Sequence, residues 1–193
     1  MKDIRAVYIG NSMLERLKTT GRHTQLAALD TAFNAGCGGD TNENATYRLH
    51  QGLYAMLKSA QEEEDNKCEV QVWILASGTN NLHPKRGFRA ADVESWKVLV
   101  EACLDIAPRS IVLACDVFYR KDIEDDLVDD GNNMLRKVIE RLNAEDRKST
   151  GDDEEPGEER VKWIEVRHLI DDNMLDDHVH LNERGYEMWD RVL

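Results

Sequence analysis

The sequence predicts an α/β fold in which helices cover both faces of a parallel sheet. Three observations carry this reading. Short apolar runs of strand character alternate along the chain with amphipathic helical patterns, and parallel strands need such crossovers. Several of the runs are apolar at nearly every position, as strands buried on both faces are. Polar clusters follow the strands, at the sheet edge where function sits in folds of this class.

The first run, IRAVYIG at 4–10, is β-rich and ends at a glycine. A helical pattern follows from Ser12 to about Lys18, with Met13, Leu14 and Leu17 on one side. TAFNAG at 31–36 is a short strand running into the glycine-rich GCGGDT. From Thr41 to about Leu57 the pattern is helical, with Leu49, Leu53, Met56 and Leu57 spaced by three and four. EVQVWILASG at 69–78 is a buried strand, ADVESWKVLVEACLDIA at 91–107 an amphipathic helix closed by Pro108, and SIVLACDVF at 110–118 another buried strand. A helix is expected from Asp129 to Asn143, then an acidic linker at 144–160, then a fifth strand, VKWIEV, at 161–166. Asn182 reads as the cap of a last helix. The fifth strand completes the sheet, so the linker is an excursion within a single domain spanning 1–193.

A chain of 193 residues suits one domain with a full-sized core. Its formal net charge of -13 argues against nucleic acid or an anionic membrane as the main partner, since both require a basic surface. Six of the acids, Asp152, Asp153, Glu154, Glu155, Glu158 and Glu159, lie in the linker and read as a solvated loop. The four cysteines, at 37, 68, 103 and 115, have no metal-site spacing, and Cys103 and Cys115 sit in apolar runs as small buried hydrophobes. The chain opens directly on a strand-like run without a signal-peptide pattern, and no stretch approaches the 18 or so apolar residues of a membrane span. These features favour a soluble, reducing, cytoplasmic setting.

The polar clusters are GNSM after the first strand, GCGGDT after the second, SGTNN after the third and DDHVH after the fifth. They bring Ser12, Gly38, Gly39, Asn80, Asn81, Asp177 and His180 to one edge of the sheet. Taken alone, DDHVHLNERGY at 176–186 reads equally as a metal-ligand pair, as a base with its orienting carboxylate, or as a polar loop before a helix. The set as a whole matches the parts needed for acyl transfer. A serine hydroxyl is a weak nucleophile until a base takes its proton, and histidine suits that task. An aspartate can fix the imidazole tautomer. A glycine N–H and an asparagine amide can hold an oxyanion. The turn after the first strand departs from the G-x-S-x-G elbow, and Asp177 and His180 are three apart, so one short loop can carry both.

With the four segments placed, VYIGNSM, NAGCGGDT, SGTNN and DDHVHLNERGY resemble the SGNH hydrolases, or GDSL esterase/lipase superfamily, most closely the platelet-activating-factor acetylhydrolase catalytic-subunit type. The segments occur in the family's order and span residues 7–186. The resemblance implies a flavodoxin-like three-layer α/β/α sandwich on a five-stranded parallel sheet. It implies a serine esterase with Ser12 as nucleophile, His180 as general base and Asp177 orienting it. The oxyanion hole is then the backbone N–H of Ser12 and of Gly39 with the Asn80 side chain. Met13, Thr79 and Val179 flank the catalytic positions as the acyl pocket, and their medium size favours a short acyl group such as acetyl. No metal and no organic cofactor is implied. The family's usual Asp before the serine is Asn11 here, which keeps the shape and hydrogen-bonding capacity but removes a charge.

The partner is then a small-molecule, lipid or sugar ester, and the likeness to the acetylhydrolase subunits points to a homodimer, although the chain shows no clear interface stripe. Two other readings stand beside this one. Asn11 hints at a binding or scaffolding protein with an idle site, and DDHVH with other aspartates suggests a metal-dependent phosphoesterase. His23, His50, His83 and His168 read as surface or structural, and Trp73, Trp96, Trp163 and Trp189 as core.

Overall fold

The computed structural model describes residues 3–62, 69–149 and 158–193. Among these residues there are five strands: β1 (Ala6–Gly10), β2 (Ala32–Asn34), β3 (Val72–Ala76), β4 (Ile111–Cys115) and β5 (Val161–Ile164). All pair in parallel, in the order β2-β1-β3-β4-β5. The order reverses at β1, so the loops after β1 and β3 open onto a shared crevice.

Side chains alternate across the sheet and build a core on each face. On one face Val7 and Ile9 of β1, Trp73 and Leu75 of β3, and Val112 and Ala114 of β4 meet four helices. These are α3 (Asn42–Arg48), α4 (Tyr54–Glu62), α5 (Ala90–Ile106) and α6 (Asp125–Ser149). On the other face Ala6, Tyr8, Ile74, Ala76 and Cys115 meet the first and last helices, α1 (Ser12–Glu15) and α7 (Glu183–Val192), through Met13, Leu14, Tyr186 and Trp189. The result is a three-layer α/β/α sandwich on a five-stranded parallel sheet, as the sequence predicts. No helix among the described residues is long and apolar enough to cross a membrane.

Several elements differ from their predicted bounds. The helix expected over 41–57 is broken: α3 ends at Arg48, and Gly52 takes φ 119° between α3 and α4. A β-carbon disfavours that conformation, so the glycine sets the kink. The kink shifts the helical phase, which leaves Leu57 buried but Met56 46% exposed, against the predicted face. A one-turn helix, α2 (Gln25–Ala28), is too short to leave a periodic signal. The helix expected over 129–143 runs from Asp125 to Ser149. The start of the expected acidic linker is therefore helical, and its segment 150–157 lies outside the described residues. Trp73, Trp96 and Trp189 are fully buried, whereas Trp163, on the edge strand β5, is half-buried.

Candidate active site

β1 enters the site through Gly10, which touches β3 so closely that an added β-carbon would lie 1.9 Å from the Ala76 carbonyl oxygen. The chain then turns sharply into α1. Asn11 is the helix cap: its Oδ1 accepts the N–H of Met13 at 3.0 Å. An amide performs that task as well as a carboxylate does, so the missing charge at Asn11 leaves the local structure intact. Ser12 follows as the first helical residue and is 9% exposed. Neighbouring loops tie the turn down, since Asn11 N–H donates to the Ala76 carbonyl at 3.2 Å and Cys37 N–H to the Gly10 carbonyl at 3.1 Å.

The loop before α7 folds back on itself. Leu175 bridges Leu181, and the Asp176 N–H donates to the His180 carbonyl at 2.8 Å. Asn182 closes it as the predicted cap, accepting the Gly185 N–H at 3.1 Å. Within the loop Asp177 Oδ1 accepts the backbone N–H of Val179 and of His180, each at 2.8 Å. Its other oxygen, Oδ2, lies 2.7 Å from His180 Nδ1. On the far side of the ring, His180 Nε2 lies 2.9 Å from Ser12 Oγ. The structure thus brings Ser12, His180 and Asp177 into one hydrogen-bonded chain. Burial opposes the charge on Asp177, but the His180 backbone N–H, the His180 ring and the Val179 N–H outweigh it and hold the carboxyl well below the usual carboxylate range. With Asp177 ionised, Nδ1 carries the proton and Nε2 is left to accept one from the serine. Arg16 approaches Asp176 and Asp177 only at 3.9 and 4.0 Å.

Gly39 has φ 77°, a left-handed conformation that glycine adopts without strain, and a β-carbon there would meet nothing within 4 Å. Among the described residues neither the Ser12 N–H nor the Gly39 N–H has an acceptor within the chain. Asn80 is exposed, and its Nδ2 donates to the Asp40 carbonyl at 2.8 Å, which links it to the glycine loop and leaves its second amide hydrogen uncommitted. Asp40 is itself pinned by Arg48, whose Nε is 2.7 Å from Asp40 Oδ2. Asn81 turns to the start of α3: its Oδ1 accepts the Asn42 N–H at 2.9 Å, and its Nδ2 donates to Glu43 Oε2 at 2.9 Å.

Met13, Thr79 and Val179, the expected acyl pocket, are all buried at 4, 6 and 7% exposure, with Met13 and Val179 packed into the α1/α7 face of the core. His178 is exposed, and its ring points no closer than 4.0 Å to Asp177. Among the described residues no three His, Cys, Asp or Glu side chains converge in a way that could hold a metal ion. Sequence reasoning missed Arg48 and Arg120. A single arginine in a helix or loop carries no periodic or motif signal, and only the fold shows what each reaches.

No family model matches the sequence, and no curated protein matches it. Solved structures do match. A GDSL-like lipase from Parabacteroides merdae superposes with a TM-score of 0.64 at 15% identity, over 99% of this chain and 94% of that one. A lipase/acylhydrolase from Enterococcus faecalis gives 0.63 at 17%, over 98% and 92%. An acetyl xylan esterase gives 0.62 at 18%, over 98% and 100%. The chain has the fold shared by these GDSL-type proteins, the SGNH hydrolase fold.

Proposed function

We propose that the chain is a serine esterase of the SGNH hydrolase superfamily, with residues 1–193 forming its single catalytic domain. The observation that carries this reading is the continuous relay from Asp177 through His180 to Ser12, at 2.7 and 2.9 Å. In this mechanism His180 Nε2 takes the Ser12 proton as Oγ attacks the ester carbonyl. The tetrahedral oxyanion is met by the N–H groups of Ser12 and Gly39 and by the Asn80 amide. His180 then returns the proton to the leaving alcohol, and a water deacylates the serine by the same route. The reaction draws on no metal or organic cofactor.

The substrate is a short-acyl ester, in the first place an acetyl ester. Met13, Thr79 and Val179, neighbours in sequence of Ser12, Asn80 and His180, are buried, and their medium size favours a short acyl group. The fold likeness to an acetyl xylan esterase supports an acetylated carbohydrate as one class of alcohol. Within the acetylhydrolase subtype a homodimer and a cytoplasmic setting are the expected context.

A p-nitrophenyl ester series on the wild type and Ser12→Ala tests the reading. Acetate and butyrate esters should turn over fastest, and Ser12→Ala should be inactive. Undiminished turnover by Ser12→Ala, or fast cleavage of long-chain esters with acetate poor, overturns the corresponding part. A chelator should leave the rate unchanged, and inhibition by one would favour metal-dependent chemistry.

A further inference from the structure

Five strands end in five loops, and four of those loops carry the residues named above. The fifth follows β4 and is anchored at its base. Asp116 Oδ2 accepts the N–H groups of Val166 at 3.0 Å and Arg167 at 2.8 Å. Asn132 of α6 brackets Val117, accepting its N–H at 2.8 Å and donating to its carbonyl at 3.0 Å. Beyond these anchors stands Arg120, whose side chain is 11% exposed. Asp122 forks it, with Nε to Oδ1 at 2.9 Å and Nη2 to Oδ2 at 2.7 Å. The remaining arm, Nη1, donates to the Thr79 carbonyl at 2.6 Å and lies 3.4 Å from Thr79 Oγ1. The next backbone N–H, of Lys121, donates to the His178 carbonyl at 2.9 Å. One braced loop therefore holds both the residue before Asn80 and the loop that carries His180.

We infer that Arg120 is a positioning residue: it fixes the Asn80 amide against the His180 loop so that this oxyanion donor is in place before substrate arrives. The inference rests on the esterase reading. Its physical basis is preorganisation. A donor stabilises an oxyanion only if it need not move to do so, and a displacement of about 1 Å costs about 10²-fold in rate. Asn80 is exposed and held by one side-chain bond, to the Asp40 carbonyl, so its placement depends on the backbone at Thr79. Arginine suits the role because its planar fork can engage Asp122 with two nitrogens and still present a third, which an ammonium cannot do in one fixed geometry.

A double-mutant cycle separates this role from a general structural one. Hydrolysis of p-nitrophenyl acetate is measured for the wild type, Arg120→Ala, Asn80→Ala and the double variant. Arg120→Ala should lower kcat about 10- to 100-fold with KM changed less than about 3-fold. In the Asn80→Ala background the same substitution should cost less than about 2-fold, because the group it positions is gone. A full loss in both backgrounds overturns the inference, as does wild-type kcat in Arg120→Ala. Arg120→Lys keeps the charge and the stem but not the fork, and serves in the same cycle if the alanine variant does not fold. It should lower kcat about 10- to 100-fold in the wild-type background and less than about 2-fold beside Asn80→Ala, and full activity in it overturns the geometric argument. An active Ser12→Ala removes the esterase reading and this inference together, whereas an inactive Ser12→Ala beside an unimpaired Arg120→Ala removes this inference alone.

Discussion

His180 Nε2 lies 2.9 Å from Ser12 Oγ, although 168 positions separate the two residues in the chain. The proposed proton transfer needs both groups, so their losses should not add. Ser12→Ala and His180→Ala should each lower kcat on p-nitrophenyl acetate by about 10⁴- to 10⁶-fold, and the double variant should be little worse than either. Steady-state kinetics on the three variants checks this, and additive losses would show that the two residues work separately.

Asp177 holds the imidazole from the opposite side, and its carboxylate also accepts two backbone N–H bonds within the loop. Asp177→Asn preserves the shape and can still accept those N–H bonds. The amide, however, can present its N–H to Nδ1 and favour the tautomer that leaves Nε2 protonated. The expected loss in kcat is about 10⁴-fold with the fold retained, read by kinetics beside circular dichroism. Because the Asp177 carboxyl sits well below the usual range, it stays ionised across any ordinary assay pH. Its contribution to stability is present above the unfolded carboxyl pKa and is lost as the pH falls through the lower folded value.

Asn80 is tied to the glycine loop through the Asp40 carbonyl and offers one uncommitted amide hydrogen. Asn80→Ala should lower kcat about 10²- to 10³-fold while KM moves little, since the donor matters most once the oxyanion forms. A rise in KM at constant kcat would instead assign Asn80 to substrate binding.

Asp116 anchors the base of the loop after β4 and concerns stability. Burial pushes its carboxyl up to about 6, against the two N–H bonds from Val166 and Arg167, and its Oδ1 has no hydrogen-bond partner among the described residues. The native state therefore binds this proton at a higher pH than the unfolded chain does. Between pH 6 and about 4 the native state holds more protons, so this group favours folding as the pH falls. Above pH 6 its buried charge costs roughly 3 kcal/mol. Asp116→Asn removes that titration, so its stability relative to wild type should be more favourable at pH 8 than at pH 4.5 by roughly 2 kcal/mol, because part of the cost is already present at pH 4.5. Urea denaturation at the two pH values measures the difference, and an equal gap at both would contradict the assignment.

Much of this architecture was legible because its signals are local. β1, β3 and β4 are near-continuous apolar runs, and a parallel sheet sends the residue after each strand to the same edge. That rule sends Ser12, Asn80 and His180 to one edge, and the structure joins Ser12 to His180 at 2.9 Å. What escaped was either too short or too distant to leave a pattern. Gly52 turned one helical stripe into two and exposed Met56. The acidic residues that open α6 read as loop, because helix starts favour acids without periodicity. Arg48 and Arg120 act on residues 8 and 41 positions away, and nothing in their own neighbourhoods announces it.

The most direct test of the account is covalent labelling with an organophosphonate, followed by peptide mass spectrometry. The account predicts a single adduct on Ser12, formed in step with loss of ester turnover, absent in Ser12→Ala and strongly slowed in His180→Ala. Ester turnover that persists without any adduct on Ser12, or inactivation that maps to a different residue, would contradict it.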